Sequence, residues 1–184
     1  MKYVVDVREE GHLEDFRETR LMSKSPRRKD LLSFLHPVLA SCEVDERAIQ
    51  EHLADAWSDL SFEERMGRTC CALAEAKAGH DPEAGQLVIA ADTMVLFQGY
   101  VYHKPRDKEE ARLMIRSYCG KEHTVVTGVC LLQKHFRKTF YAHAQVAFAS
   151  ATPYVRSQIE KYVESGKPFG KAGAYGIQEL GLVS

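Results

Sequence analysis

Apolar positions along the chain follow two alternating periods, one suited to strands and one to helices. The longest unbroken apolar stretch, Leu87-Val88-Ile89-Ala90-Ala91, stops on Asp92-Thr93. A run of this kind, bounded by polar residues, predicts a strand buried on both faces. Aspartate is poor in strands and rarely buried without a partner. A strand ending on Asp92 therefore predicts a carboxylate delivered to a ligand crevice at the C-terminal edge of a sheet. The same residue also suits a plain turn cap before Met94.

Helical spacing appears on either side. Ser61 and Glu64 form a capping box, and Met66, Cys70, Leu73 and Ala74 recur behind it, which predicts a helix to Gly79. Asp107, with Glu110 three residues on, opens a helix to Tyr118, with Gly120 past its end. Ser25-Pro26 suit the N-cap and first position of a helix with an apolar face of Leu31, Leu32 and Leu35. Thr152-Pro153 start a last helix ending near Gly166, and the charged segment His12–Arg20 is read as helical. Strands are predicted at Met1–Val7, Thr124–Leu132 and Thr139–Phe148, with a turn over His135–Lys138. Thr93–Tyr102 reads as a hairpin around Gln98-Gly99. Antiparallel pairs mixed with helices predict an α/β (mixed α+β) sheet rather than a pure βαβ series.

A length of 184 residues suits one domain, or one domain with a small lobe. A net charge of −1 without a long basic run argues against binding a nucleic-acid backbone, but leaves room for a small phosphorylated ligand. Five cysteines, an odd number without a CxxC pair, suit a reduced cytoplasmic protein rather than a disulfide framework. Early acidic residues Asp6, Glu9 and Glu10 argue against a signal peptide, and no apolar run approaches a membrane span.

Candidate chemistry gathers at a few places. Ser23-Lys24-Ser25-Pro26-Arg27-Arg28 puts hydroxyls and guanidiniums at a predicted helix start, where unpaired N–H groups favour phosphate. The same residues also describe a capped surface helix with solvated arginines. Lys77 and Lys104 suit phosphate contacts or plain surface charge. Glu43, Asp45 and Glu46 form a polar loop that could share a divalent cation with Asp92, since Mg²⁺ is held by one or two carboxylates plus phosphates. In the small-residue tail Lys171–Gln178, the backbone can approach a flat ligand, and Gln178 offers a donor and an acceptor to a base edge. A glycine-rich loop around a buried tyrosine fits that tail equally well. His123, at the start of a strand, reads as structural, and the histidines lack zinc-ligand spacing.

Together these pieces resemble the Maf family of nucleotide pyrophosphatases. The matching motifs are Ser23–Arg28, Asp45-Glu46, Lys77-Ala78, Ala91-Asp92-Thr93, Lys104-Pro105, Gly120…His123…Thr127-Gly128 and Lys171–Gln178, in family order. The resemblance implies a mixed twisted sheet with a deep cleft between two lobes, as in inosine triphosphate pyrophosphatases. It implies hydrolysis of a nucleoside triphosphate to the monophosphate and pyrophosphate, a divalent cation (Mg²⁺ or Mn²⁺) and often a homodimer. By motif, Asp92 would accept a proton from the attacking water and share the metal with Glu46. Ser23, Arg27, Arg28, Lys77, Thr93, Lys104 and Gln178 would bind substrate, with Arg27, Thr93 and Gln178 at specificity positions. The tail resembles the dTTP/UTP branch. An N-terminal extension, residues 1–20, would precede a domain over residues 21–184 that is shorter than the family at its C-terminus. Gly170 stands where the family has an acid, and Glu179 where it has a glycine. Two other readings stand beside this one: a nucleotide-binding regulator without turnover, related to restraint of septum formation, and a pyrophosphatase of another specificity, for inosine, 7-methylguanosine or modified pyrimidine triphosphates.

Overall fold

The computed structural model describes residues 2–79 and 82–183. Met1 of the first expected strand and Ser184 of the expected domain lie outside them. The strands are β1 (Lys2–Glu10), β2 (Glu18–Met22), β3 (Val38–Ala40), β4 (Gln86–Phe97), β5 (Tyr100–Tyr102), β6 (Glu122–Gln133) and β7 (Phe136–Ala147). The helices are α1 (Pro26–Leu31), α2 (Glu46–His52), α3 (Phe62–Ala78), α4 (Lys108–Tyr118), α5 (Pro153–Glu164) and α6 (Ile177–Leu180). The sheet runs β1-β7-β6-β4-β2-β3, with β5 paired to β4. It is mixed: β2 pairs in parallel with β3 and β4, while β5 returns antiparallel along β4. No helix among the described residues is long and apolar enough to cross a membrane, and the five cysteines are free thiols.

The chain divides into two compact units. The larger holds residues 3–92 and 127–142, and the smaller holds residues 93–126 and the chain from 143 on. In the larger unit, α3 begins at the expected capping box, where the Ser61 hydroxyl accepts the Glu64 N–H and Glu64 reaches back to the Ser61 N–H. Its buried face, Cys70, Leu73, Ala74 and Ala78, packs its last two alanines on Val88, Ala90, Cys130 and Leu132. Gly128 of β6 makes that packing close. A Cβ there would lie 2.3 Å from the Cys70 carbonyl carbon and 2.4 Å from the Cys71 nitrogen, so only glycine lets the strand meet the helix backbone.

In the smaller unit, α4 and α5 pack on the outer half of β4. Asp107 caps α4 by accepting the Glu110 N–H, and Thr152 caps α5 by accepting the Val155 N–H. Ala111, Ile115, Tyr118, Val155, Ile159 and Val163 join Val95 and Phe97 in one core. Arg112 and Arg116 pair with Glu160 across the two helices.

Four sequence expectations change. The buried strand does not stop at Asp92. It runs on through Met94-Val95-Leu96-Phe97, so Asp92 and Thr93 are two half-buried polar residues inside a strand buried on either side. The apolar run resumes after the pair, and period alone hid the continuity. His12–Arg20 is not helical. Its end is strand β2, where Thr19 and Leu21 face inward alternately with Glu18 and Arg20, a period of two. Helix α1 is only six residues long, and Leu31 is 69% exposed. Leu32 and Leu35 pack on Leu21, Leu87 and Ile89 instead, through a 3₁₀ turn at Ser33–Leu35 that rotates the expected apolar face. The turn between β6 and β7 is the tighter pair Lys134-His135, and Phe136 is already strand.

Candidate active site

Asp92 gains its position from register. Strand β2 pairs with β4 from Glu18↔Gln86 to Met22↔Ala90 and then leaves. The parallel ladder therefore ends two residues before Asp92, and the carboxylate stands at the carboxyl edge of the parallel strands even though its own strand continues. This is where open sheets place ligand-facing groups.

Two cation-bearing elements meet it. Lys77, in the last turn of α3, donates from Nζ to Asp92 Oδ1 at 2.5 Å. The same ammonium lies 2.6 Å from Glu46 Oε1. Glu46 is the first residue of α2, whose N-cap Asp45 is engaged in accepting the Ala48 N–H. The acidic cluster of the sequence thus divides: Asp45 caps a helix and Glu46 turns to the lysine. The Lys77 and Asp92 side chains are 16% and 14% exposed, and that of Glu46 is 47% exposed. Burial alone would lower the Lys77 pKa, but the hydrogen bonds and charges of Asp92 and then Glu46 outweigh it, so the net shift is upward.

The turn 23–28 lies beside this cluster. Ser25 and Pro26 take the expected N-cap and first helical positions, although the Ser25 side chain makes no cap bond. The Ser23 hydroxyl accepts the Ser25 N–H at 3.2 Å and Arg28 Nη1 at 3.4 Å. Arg28 Nη1 also donates to the Ala91 carbonyl at 2.7 Å, fixing the guanidinium next to the strand position before Asp92. Burial lowers the Arg28 pKa; the Asp92 charge offsets part of this, while neighbouring Arg27 adds to it. The guanidinium is thus a cation partly stripped of water, a state that an anion relieves. A pocket of about 410 Å³ at the turn is lined by Ser23, Ser25, Lys29 and Ser41 among others.

The remaining candidates belong to the smaller unit. Thr93 follows Asp92 on β4 with its side chain on the opposite face. Lys104 is exposed in the loop after β5, and the His103 carbonyl in that loop accepts the Gly173 N–H at 3.1 Å. Gln178 is exposed on α6. The tail is held by aromatic side chains. The Tyr118 hydroxyl donates to the Gly173 carbonyl at 3.3 Å. His123 Nε2 and the Tyr175 hydroxyl share a hydrogen bond of 2.7 Å, and the His123 ring stacks on Tyr118 at 4.3 Å. The Tyr162 hydroxyl accepts the Gly176 N–H and donates to Glu179, each at 3.1 Å, so it fixes both sides of Gln178. At Gly173 φ is +70°, and a Cβ would lie 2.9 Å from Val95 and 3.0 Å from the Tyr118 oxygen.

The family model for Maf-like protein matches residues 19–184. The chain belongs to the Maf family. It is 39% identical over 168 residues to the dTTP/UTP pyrophosphatase of Bacillus pumilus, covering 89% of this chain and 80% of the relative. The dTTP/UTP pyrophosphatase of Symbiobacterium thermophilum is 41% identical over 160 residues, covering 86% and 76%. That of Leptospira biflexa is 33% identical over 159 residues, covering 86% and 76%.

In this Maf-family chain the larger unit brings Asp92, Lys77, Glu46, Arg28 and Ser23 together. Among the described residues no group of three or more His, Cys, Asp or Glu converges to hold a metal. The pair Asp92 and Glu46 still fits a divalent cation, because their oxygens already close on one positive charge, the Lys77 ammonium. Hard cations take one or two such carboxylates and complete the shell with water and phosphate. Several contributors escaped sequence reasoning. The Ala91 carbonyl has no side-chain signature. Tyr118 and Tyr162 sit at ordinary helical core positions. The Glu179 pairing with Lys171 at 3.2 Å has no local signature either.

Proposed function

We propose that this protein is a nucleoside triphosphate pyrophosphatase hydrolysing dTTP or UTP to the monophosphate and pyrophosphate. The observation that carries the reading is the Asp92–Lys77–Glu46 cluster, set beside the desolvated Arg28. It is supported by relatives at 39% and 41% identity that are named dTTP/UTP pyrophosphatases.

The chemistry follows from the side chains. Asp92 accepts a proton from water as that water attacks and the anhydride between the α and β phosphates breaks, pyrophosphate leaving with the bond pair. Phosphoryl chemistry of this kind is mostly positioning and charge neutralisation. Ser23, Arg27, Arg28 and Lys77 meet the phosphate oxygens, as does Lys104 by its family motif. Arg27, Thr93 and Gln178 stand at the positions that select the base. Asp92 and Glu46 would hold a divalent cation, Mg²⁺ or Mn²⁺, which when bound neutralises phosphate charge and polarises the scissile anhydride. The same reading takes residues 1–20 as an extension to the catalytic domain, a homodimer as the assembly, the cytoplasm as the location and restraint of septum formation as the cellular context.

The test is pyrophosphate release with Mg²⁺ from dTTP, UTP, CTP, 7-methyl-GTP and ITP. Release fastest from dTTP and UTP is the expected result. Release only from ITP or 7-methyl-GTP would overturn the base assignment. No release from any of them, alongside a nucleotide-induced rise in melting temperature, would make the protein a binding regulator.

A further inference from the structure

We propose that Lys77 is an exchangeable placeholder: its ammonium fills the cation position between Asp92 and Glu46, and moves to the triphosphate when a divalent cation and nucleotide enter. The idea rests on the assignment of Asp92 and Glu46 as cation ligands made above. It goes further by giving Lys77 two successive partners and by making metal and nucleotide binding interdependent.

Three observations carry it. First, one ammonium contacts both carboxylates, at 2.5 and 2.6 Å. A divalent cation held by these two carboxylates would take over the neutralising role that Lys77 now fills. Second, two further cations, Arg28 and Arg27, stand near the cluster. Arg28 is fixed against the Ala91 carbonyl, with Arg27 adding to its charge burden. A dication added while Lys77 stays in place would meet like charges at short range. Third, Lys77 can leave. It sits in the last turn of α3, one residue before Ala78 ends the helix. Its unbranched stem swings about four rotatable bonds, unlike the Arg28 fork, which is anchored by hydrogen bonds to Ser23 and the strand. The triphosphate offers the displaced ammonium a new anionic partner, so the cost of breaking two ion pairs is offset only when nucleotide is present. Cation and nucleotide then bind with positive coupling, which by linkage is equal in both directions.

The experiment measures Mn²⁺ affinity by calorimetry or by electron paramagnetic resonance, with and without the non-hydrolysable analogue α,β-imido-dUTP. Wild-type protein is expected to bind Mn²⁺ alone weakly and about tenfold or more tightly with the analogue, a coupling of ordinary allosteric size. Lys77→Met is expected to bind Mn²⁺ alone about tenfold more tightly than wild type, with the coupling reduced towards unity. Lysine acetylation read by mass spectrometry follows the wild-type side chain itself and does not depend on a variant folding. Lys77 labelling should rise with Mn²⁺ alone and fall when the analogue is added. Unchanged Mn²⁺ affinity and coupling in Lys77→Met, with Lys77 labelling indifferent to Mn²⁺, would sink the placeholder. Glu46→Gln separates the two readings. If it abolishes Mn²⁺ binding while Lys77→Met changes nothing, the cation assignment stands and only the placeholder fails. If Mn²⁺ binding ignores Glu46→Gln, or is absent from the wild type, the cation assignment and the placeholder fall together.

Discussion

The charged cluster around Asp92 and the aromatic cluster around Tyr118 hold their segments of chain by opposite means. In the larger unit, Asp92, Lys77 and Glu46 are held by mutual neutralisation, with Glu46 half open to water. The Lys77–Asp92 pair is mostly buried and its worth lies in mutual neutralisation, while the half-exposed Glu46 contact is the weaker of the two. In the smaller unit, Tyr118, His123 and Tyr175 hold the tail by ring packing and by hydrogen bonds away from solvent. There the geometry cannot change without loss of packing. The comparison teaches that one segment is held by charge and the other by packing; under the proposed function, the first would be where a ligand exchanges partners and the second where a base-reading residue is aimed.

The division is broken most directly at Asp92. Asp92→Asn should keep the fold, with a melting temperature close to wild type, and lose about 10²–10⁴-fold in kcat, the usual worth of a placed general base. Turnover near wild type would falsify the catalytic role. Acid should act on the other cluster. Burial pushes His123 down to about 4 from its ordinary 6.5. Above pH 6.5 the ring is neutral in both folded and unfolded chains. Between about 6.5 and 4 only the unfolded chain takes up the proton, so stability falls as pH falls, by up to about 3 kcal/mol. His123→Gln removes this proton uptake, and its chemical-denaturation stability should vary less over that pH range. An equal slope in wild type and variant would place the acid sensitivity elsewhere.

Gly173→Ala tests the packing alone. The positive φ and the approach to Val95 and Tyr118 predict a loss of about 2 kcal/mol, read from urea midpoints. A loss below a few tenths would mean that the tail shifts freely and is not rigidly held. The smallest expected effect is at Tyr162. Tyr162→Phe deletes the hydroxyl that bonds on both sides of Gln178 and should destabilise by about 1 kcal/mol. It should raise KM for dTTP or UTP several-fold more than it lowers kcat, because it disturbs aim rather than chemistry. An equal fall in kcat would join the two clusters into one catalytic unit.

Helix α3 was legible in the sequence because its capping box and its apolar period are local and agree. The Gln98-Gly99 hairpin was legible for the same reason. Helix α1 was misjudged because three leucines satisfy a helical period, although Leu31 faces water and a 3₁₀ turn redirects Leu32 and Leu35. Strand β2 is hard to read from local pattern because Glu18 and Arg20 mask a buried Thr19 and Leu21, and only parallel pairing with β4 reveals the alternation. Lys77 and Glu46 were recognisable as motif residues. That the Lys77 ammonium meets both Asp92 and Glu46 was not, because the three residues lie on three different elements, α3, β4 and α2.

By itself the sequence determined the residue types and their order: an acid inside an apolar strand, a Ser-Pro-Arg-Arg turn, a lysine at a helix end and a small-residue tail. Those features are written locally, in side-chain chemistry, caps and period. Only the tertiary structure decided that Asp92 sits within β4 rather than at its end, where β2 stops pairing, and that Lys77 bridges it to Glu46. It also decided that Tyr118, Tyr162 and His123 fix the tail. These are long-range choices, set by register and by which buried faces can close on one another, and no short stretch of chain contains them.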